Sequence, residues 1–351
     1  MRIAQTISRR SFRLRRSPPV VAIVGATGAV GREILAVLER RRFPVAELRL
    51  YASPRSACKI IAFRGRDLTV EPLGDCSFQG VDLALFSAGS ATARYYAPRA
   101  VRSGAIVIDN SSAFRMEAAV PLVVPEINSA AIELHAGIIA NPNCAAIIAL
   151  MALAPIHRRN RIHRVILATY QAASGAGAAA MTELREATRA YLDGCAYEPR
   201  VLPHPYAFNL FSHDTPIDPA TGYNGEETKI INETRKILAD PEIRVGVTCV
   251  RVSVLRAHAI AMSIECENPI APEEARAMLS DAPGVRLVDD PVRNHFPMPC
   301  EAAAQDDVLV GRIRRDLSDP SGHSLALFAA GDQLLKGAAL NAVQIAEHLL
   351  P

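Results

Sequence analysis

VVAIVGATGAVG, residues 20–31, runs directly into REILAVLER, residues 32–40. Residues 20–24 form a short, continuous and mostly β-branched apolar run, which is typical of a parallel strand buried on both faces. A glycine-rich turn and an amphipathic helix follow at once, and this order predicts backbone N–H groups that hold a pyrophosphate. A glycine motif alone is a weak indication, but this placement makes it a strong one. The predicted contacts are Gly25, Thr27, Gly28, Ala29, Val30 and Gly31.

The second predicted strand, residues 47–52, ends at the sequence SPRS. Enzymes that use NAD commonly place Asp or Glu here, where the carboxylate binds the ribose 2′-hydroxyl. Arg55, flanked by Ser53 and Ser56, suits a 2′-phosphate instead, so the stretch favours NADP as the cofactor. On this stretch alone, a solvated arginine on a turn is the alternative.

Apolar segments alternate with helix-like segments along the rest of the chain. Further strands are predicted at residues 81–87, 105–109, 122–124, 137–140, 165–170, 245–254 and 325–328, and helices at about 226–239 and 332–349. Residues 194–225 are rich in Pro, Gly, His and Asn, and we interpret them as a long loop or dimer arm. The predicted fold class is α/β. A Rossmann-type dinucleotide-binding domain takes residues 20–143 with 330–351, and an α+β catalytic and dimerisation domain takes 144–329.

Cys144 lies in NPNCAAI, residues 141–147, where turn-forming residues run into an apolar, helix-like stretch. A thiol at a helix start faces unsatisfied backbone N–H groups and the positive end of the helix dipole, which favour the thiolate. We therefore consider Cys144 a candidate nucleophile, although a cysteine in such a loop is more often inert. The chain has seven scattered cysteines and no CxxC pair, which argues against a zinc site or disulfide framework.

The net charge of +3 is unevenly distributed, because residues 1–19 hold six arginines and no acid. Removing these six charges leaves −3 for the remainder, which argues against nucleic-acid binding. No apolar run has the length of a membrane span. We interpret residues 1–19 as a disordered basic tail or misplaced start, with an organelle-targeting segment as the alternative. The expected location is the cytoplasm, or a plastid under that alternative.

Five motifs follow one another in the chain: VGATGAVG (24–31), DNSSAFR (109–115), NPNC (141–144), TYQAASGAG (169–177) and KGAALNAVQIAE (336–347). Together they resemble the aspartate-β-semialdehyde dehydrogenase family over nearly all of residues 20–350. The resemblance implies reversible, NADPH-dependent reduction of L-aspartyl 4-phosphate to L-aspartate 4-semialdehyde with release of phosphate, in lysine, threonine and methionine biosynthesis. It also implies a homo-oligomer, dimer or tetramer, and no metal ion. YAFNLFSH (206–213) and RAHA (256–259) resemble the plant-like branch most closely.

The resemblance assigns roles to residues that would otherwise be unremarkable. Cys144 would form a thioester, His258 would be its acid/base partner titrating near neutrality, and Gln171 would orient substrate or water through its amide. The implied substrate and phosphate contacts are Arg115 and Lys229 for phosphate, Arg251 for the α-carboxylate, Glu226 for the α-amino group, and Asn143. The implied nicotinamide contacts are Ser174, Gly175 and Gln333. Without the resemblance, each charged residue here would be an ordinary surface charge.

The chain also departs from many relatives, at Ala145, Ala146, Ser253, Ala259 and Gln333. Two other reductases of this fold class are alternatives. N-acetylglutamyl-phosphate reductase usually has glycine where Asn143 stands, whereas malonyl-CoA reductase would keep the cysteine and the histidine. A non-enzymatic paralogue is a third alternative, and it should have lost one of these two side chains.

Overall fold

The computed structural model describes residues 14–74 and 78–351, which form two seven-stranded sheets with helices packed on them. The strands are β1 Val20–Val24, β2 Glu47–Ala52, β3 Ile60–Phe63, β4 Arg66–Pro72, β5 Leu83–Phe86, β6 Ile106–Asp109, β7 Ile138–Ala140, β8 Ile162–Gln171, β9 Leu210–Ser212, β10 Arg244–Val252, β11 His258–Cys266, β12 Val285–Leu287, β13 Val308–Arg315 and β14 Ser324–Gly331. The α-helices are α1 Ala29–Arg40, α2 Ser90–Arg102, α3 Pro125–Asn128, α4 Cys144–Arg159, α5 Ala178–Leu192, α6 Gly225–Leu238, α7 Pro272–Ser280, α8 Pro299–Ala302 and α9 Leu340–Glu347. Pro54–Ser56, Ser129–Leu134 and Ala173–Ala176 are 3-10 helices, and Leu335–Ala339 is π-helical.

The first sheet has the order β3-β4-β2-β1-β5-β6-β7 and is parallel except for β3, which runs antiparallel to β4. β1 lies between β2 and β5, so the strand order reverses at β1. In open α/β sheets this switch point opens a crevice for ligands beyond the carboxyl ends of the strands. All five residues of β1 are buried, as the apolar run predicted. The Rossmann-type prediction is confirmed.

Two glycines bring α1 close to the end of β1. A Cβ on Gly31 would lie 2.2 Å from the Gly25 carbonyl oxygen, so only glycine fits there. Gly25 has a φ of +91°, which side chains disfavour, and its own Cβ would meet the Ser87 carbonyl oxygen. The first intrahelical bond runs from the Arg32 N–H to the Gly28 carbonyl. The N–H groups of Gly25, Ala26 and Gly28 already donate to backbone carbonyls. Among the described residues, the N–H groups of this segment that remain for a ligand are those of Thr27, Ala29, Val30 and Gly31.

The second sheet has the order β12-β13-β14-β11-β8-β10-β9 and mixes parallel with antiparallel pairs. Helices α4, α6 and α7 pack on one of its faces. Helix α4 begins four residues after β7 of the first sheet and packs on β11 and β14 of the second. Residues 145–154 are buried on every side. Cys144, the first residue of α4, thus lies where the two sheets meet.

Several element predictions need correction. Residues 122–124 make only one bridge, Leu122 to Ala140, because α3 begins directly afterwards at Pro125. The strand predicted at 245–254 is β10, which ends at Val252, and His258 is the first residue of the next strand, β11. The segment 194–225 is not wholly loop, since β9 pairs with β10.

Most of the predicted basic tail, residues 1–13, lies outside the described residues. Arg15 and Arg16 are described, and they donate hydrogen bonds to the carbonyls of Ser103 and Gly80. Residues 15 and 16 thus contact the first domain.

Candidate active site

The start of α4 forms one wall of a pocket of about 310 Å³ between the two sheets. Asn143 caps this helix, and its Oδ1 accepts the N–H groups of Ala145 and Ala146 at 3.0 and 3.1 Å. Predicted site residues that line the pocket are Val30, Arg115, Asn143, Cys144, Gln171, Ser174, Gly175, Glu226, Lys229, Arg251 and Gln333. Residues from both halves of the chain are therefore brought together around one thiol.

Cys144 and His258 are in contact, with 3.5 Å between Sγ and Nε2. On the far side of the ring, Nδ1 accepts a hydrogen bond from the Ala172 N–H at 3.0 Å. A backbone N–H can only donate, so Nδ1 must carry no proton and the ring proton lies on Nε2. His258 therefore presents an N–H donor, not a proton acceptor, to the sulfur.

The environment of His258 holds the ring neutral. Burial lowers its pKa to about 3; the positive charge of Arg251 acts in the same direction, and Glu226 opposes it only partly. The expectation that His258 titrates near neutrality is therefore wrong. The cause is desolvation of a fully buried ring, which the sequence does not show.

Burial also raises the pKa of the Cys144 thiol to about 12, and the negative charge of Glu226 adds to this effect. Arg115, Arg251 and the Ala145 N–H lower the pKa without outweighing burial. We expected the helix start to favour the thiolate. The Ala145 N–H does lower the pKa of Cys144, but by less than burial raises it. Burial therefore favours the thiol form of Cys144.

Glu226 is the polar centre of the pocket. Its Oε1 accepts from Asn143 Nδ2 at 2.8 Å and Gln171 Nε2 at 3.3 Å, and its Oε2 accepts from Lys229 Nζ at 3.1 Å. Burial alone would raise the pKa of this carboxyl, but Lys229, His213 and Asn143 outweigh it and lower the pKa to about 2. The pocket thus contains a fixed negative charge beside the thiol.

Arg115 is anchored by three donors. Its Nε and Nη2 donate to the carbonyls of Asn141 and Asn110, and its Nη1 donates to Glu233 Oε1 at 3.0 Å. One N–H on each terminal nitrogen remains for a ligand. Glu233 also accepts the Asn143 N–H at 2.6 Å, so it fixes both the arginine and the helix cap. Sequence reasoning missed Glu233, which lies seven residues after Glu226 on the same face of α6.

Arg251 is buried and paired on one side only. Its Nε donates to Asp214 Oδ1 at 2.9 Å, and Nη2 forms an ion pair with the same oxygen at 2.9 Å. Its buried Nη1 has no hydrogen-bond partner. Sequence reasoning missed Asp214 and the pocket-lining His213. His213 is the last residue of the motif YAFNLFSH, so the motif could have indicated it as a site residue. Asp214 lies just after the motif, and no sequence pattern indicated it.

Gln333 connects the cofactor side of the pocket to His258. It donates to Ser174 Oγ, and its Oε1 accepts the Ala257 N–H at 2.9 Å. Ala257 has a left-handed φ of +74°, an unusual conformation directly before His258. A Cβ on Gly175 would lie 2.8 Å from His258 Cε1. The predicted nicotinamide contacts therefore also surround the histidine.

The remaining predicted cofactor residues lie outside this pocket. Residues 25–31 form the turn after β1, and Val30 alone of them lines the pocket. Ser53, Arg55 and Ser56 follow the neighbouring strand β2, where Ser53 and Arg55 are exposed. The two groups share the carboxyl edge of the sheet, so a dinucleotide could extend from Arg55 across the turn to the pocket.

Comparisons with known proteins agree with this arrangement. The family model described as Semialdehyde dehydrogenase, NAD binding domain, matches residues 20–135, and Semialdehyde dehydrogenase, dimerisation domain, matches residues 153–336. An aspartate-semialdehyde dehydrogenase from Synechocystis sp. is 53% identical over 334 residues, which cover 95% of this chain and 98% of the relative. The chain belongs to the aspartate-semialdehyde dehydrogenase family. It is an oxidoreductase of amino-acid biosynthesis with an NAD(P)-binding Rossmann domain and a dimerisation domain.

Other aspartate-semialdehyde dehydrogenases are similar over the same extent. The Prochlorococcus marinus protein is 49% identical over 333 residues, covering 95% of this chain and 96% of the relative. The crystal structure of aspartate semialdehyde dehydrogenase II from Vibrio cholerae has a TM-score of 0.91 at 43% identity, covering 94% and 98%. The fold is therefore shared over 94% of this chain.

Three of the departures expected from the sequence, at Ala145, Ala146 and Ser253, have clear surroundings. Ala145 and Ala146 are fully buried in the core, where their methyl groups pack and their N–H groups meet the Asn143 cap. Ser253 Oγ lies within hydrogen-bond distance of the carbonyls of Tyr206 and Asn209, which share its single proton, and it accepts the Asn209 N–H. It therefore holds the loop that carries the motif YAFNLFSH.

Two further features concern residues 14–74 and 78–351. No helix there combines the length and apolar character needed to cross a membrane. Within the same residues, no three His, Cys, Asp or Glu side chains are grouped so that they could hold a metal ion.

Proposed function

We propose that the chain catalyses reversible, NADPH-dependent reductive dephosphorylation of L-aspartyl 4-phosphate to L-aspartate 4-semialdehyde. The observation that carries the proposal is the contact between Cys144 and His258 in a pocket with three cationic side chains and one fixed carboxylate. A substrate with a phosphate, an α-carboxylate and an α-ammonium group matches this set of charges. Phosphate-dependent reduction of NADP by L-aspartate semialdehyde tests it directly, and activity on malonyl-CoA alone would reject it.

The first step needs no separate base. The Cys144 sulfur attacks the acyl carbon, the C–S bond forms, and the C–O bond to phosphate breaks. The departing phosphate would leave as a trianion, so it takes the thiol proton and leaves as hydrogen phosphate. In this step the His258 Nε2–H donates to the sulfur and orients it; its stabilisation of negative charge applies to the second step, where the sulfur becomes a thiolate.

The second step returns the sulfur as a thiolate. NADPH held by the glycine turn and Arg55 would supply the hydride that reduces the thioester carbon. The resulting thiohemiacetal oxyanion collapses, the C–S bond breaks, and the aldehyde leaves. The Cys144 thiolate accepts the His258 hydrogen bond and then regains a proton from solvent. Overall one proton is taken up, as reduction of an acyl phosphate to an aldehyde and hydrogen phosphate requires.

Four side chains are proposed to hold the three charged groups of the substrate. Arg251 presents its unpartnered Nη1 to the α-carboxylate, and Glu226 accepts the α-ammonium group. The free N–H groups of Arg115 and Lys229 hold the phosphate, since each cation retains donors after its protein contacts. Asn143 and Gln171 donate to Glu226 and keep its carboxylate in place.

Lys229→Ala is expected to raise the KM for phosphate in the oxidative direction by about tenfold or more, because a charged hydrogen bond is lost. Its side chain is one-third exposed, so the effect should be smaller than for a buried contact. Steady-state kinetics at varied phosphate measures this change. Lys229→Arg keeps the charge and should recover most of the loss. An unchanged phosphate dependence in the alanine variant would remove Lys229 from the site.

We propose NADP as the cofactor, with Arg55, Ser53 and Ser56 at the 2′-phosphate. Arg55 is exposed at the end of β2, beside the turn that follows β1. Arg55→Ala should therefore weaken NADPH binding by about tenfold and change NADH binding by less than about twofold. Fluorescence titration with both nucleotides gives the two dissociation constants.

Arg66→Ala is the matched control for Arg55. Strands β2 and β4 are parallel, and Pro72 at the carboxyl end of β4 pairs with Ala52 at the carboxyl end of β2. Arg66 is the first residue of β4, so it lies at the edge of the sheet opposite to Arg55. The control should leave both dissociation constants unchanged. Equal weakening of NADPH and NADH by Arg55→Ala would refute the 2′-phosphate role.

We further propose a homodimer that forms through the open face of the second sheet. On β8, Ile166 and Tyr170 are exposed and alternate with buried Val165, Leu167 and Thr169. The match to a dimerisation domain supports this proposal. We retain the domain boundaries at 20–143 with 330–351 and at 144–329, and membership of the plant-like branch, as proposals from the sequence.

A further inference from the structure

A carboxylate behind Arg251 has no assigned role in the reaction. Asp214 accepts a hydrogen bond from Arg251 Nε and lies in an ion pair with Arg251 Nη2, yet it does not line the pocket. We propose that Asp214 is a positioning residue, which holds the Arg251 guanidinium so that its Nη1–Nη2 edge faces the substrate α-carboxylate. This inference rests on the proposed function.

The hydrogen-bond pattern fixes one edge of the guanidinium. Nε and Nη2 of Arg251 both reach a single oxygen, Asp214 Oδ1, at 2.9 Å. These two nitrogens form the side edge of the planar Arg251 guanidinium. The Asp214 carboxylate therefore sets the orientation of that plane. The end edge, with one N–H on Nη1 and one on Nη2, stays available for a second carboxylate.

The free edge points into the site. Arg251 lines the pocket with only 5% of its side chain exposed, and Nη1 is buried without a partner. A buried donor of a charged group is seldom left unpaired, which indicates that a ligand completes it. Nη1 would lie 3.3 Å from a Cβ on Gly175, the residue that also contacts His258. The unpaired donor is therefore close to the reacting pair.

Among the described residues, no other side chain is shown as close to the Asp214 carboxylate as Arg251. The neighbouring His213 approaches Oδ1 only to 3.7 Å, and its Nδ1 accepts the Thr215 N–H. Burial lowers the pKa of His213 to about 4, so this ring is neutral at neutral pH. Asp214 is thus paired chiefly with Arg251, and it acts on substrate through that residue.

A fixed guanidinium improves binding because its freedom is lost during folding and not on substrate binding. An arginine released from Asp214 would have several rotamers, few of which present the end edge to the α-carboxylate. The loss should therefore appear in the KM for the amino-acid substrate, while the chemistry at Cys144 proceeds at a similar rate once substrate is bound.

The test compares Asp214→Ala with Asp214→Asn in phosphate-dependent oxidation of L-aspartate semialdehyde. Asp214→Ala should raise the KM for the semialdehyde by about tenfold or more, with kcat within about threefold of wild type. Asp214→Asn should stay within about threefold of wild type in both constants, because its amide oxygen can accept the same two donors. Asp193→Ala, which removes an exposed acid at the end of α5, is the control.

A double-mutant cycle shows whether Asp214 acts through Arg251. In an Arg251→Ala background, adding Asp214→Ala should change kcat/KM by less than about twofold, because the group being positioned is gone. Should Asp214→Ala not fold, Asp214→Ser is too short to hold both donors and carries the same test. Unfolding curves establish that each variant is native.

Three results would overturn the inference. They are an unchanged KM in Asp214→Ala, an equal loss in Asp214→Asn and Asp214→Ala, or a full additional loss in the Arg251→Ala background. Failure of the proposed function itself is seen separately, since the wild-type protein would then not oxidise L-aspartate semialdehyde at all.

Discussion

Replacing Cys144 with alanine is expected to reduce kcat by at least about 10⁴-fold, because a covalent nucleophile has no substitute in the pocket. NADPH binding should stay within about twofold of wild type, since the glycine turn and Arg55 lie elsewhere on the sheet. Turnover by absorbance of NADPH and nucleotide binding by fluorescence give the two quantities. A thioester trapped on the wild-type protein with acyl phosphate, and absent from the variant, would identify the bond formed.

Matched variants separate this effect from general damage. Cys300→Ala removes an exposed thiol and should leave kcat unchanged. Cys144→Ser keeps an attacking atom, but the hydroxyl is a far weaker nucleophile than the thiol, so activity should remain low. Substantial residual turnover in Cys144→Ala would contradict covalent catalysis.

The elements predicted correctly are those whose signal is local. The run at 20–24 with its glycine turn became β1 and α1, because strand, turn and helix follow one another without a gap. Helix α4 begins at Cys144 as expected, since Asn143 supplies the cap in the adjacent position. Local chemistry of this kind is written in consecutive residues and needs no knowledge of the rest of the fold.

Several of the missed strands have weak or mixed patterns, whereas β11 and the first half of β13 were missed although they are apolar and buried. Strands β3 and β4 are largely exposed, and β12 is three residues long, so none has the apolar run of a buried strand. Strand β14 also extends well beyond the predicted 325–328. Pairing with neighbouring strands, which a single sequence does not show, decides these segments.

The electrostatics of the site follow from the whole fold. The sequence analysis assigned Cys144 and His258 to one reaction. The pKa of each group, however, depends on burial by residues that are far apart in the chain. Asp214 and Glu233 were missed for the same reason, because each is defined by the arginine that folding brings to it. Long-range contacts decide the protonation states of the site residues, whereas local motifs are enough to identify which residues are candidates for the site.

His258→Gln is expected to retain at least about tenfold more activity than His258→Ala, because glutamine keeps an N–H donor but cannot titrate. The alanine variant should lose about 10²–10³-fold in kcat, the usual effect of removing one donor at developing negative charge. The reason lies in the ring: Nδ1 accepts the Ala172 N–H, so Nε2 must donate to the Cys144 sulfur.

The pH dependence of the wild-type protein gives an independent check of the same role. With a pKa near 3, His258 stays neutral and keeps its Nε2 proton throughout the assay range. It should therefore contribute no inflection in log kcat between about pH 6 and 8, where an unperturbed histidine would titrate. Nitrogen NMR of ¹⁵N-labelled protein would show the Nε2–H tautomer directly. A wild-type inflection near neutrality that His258→Gln abolishes, together with equal inactivity of the two variants, would instead make His258 a titrating base.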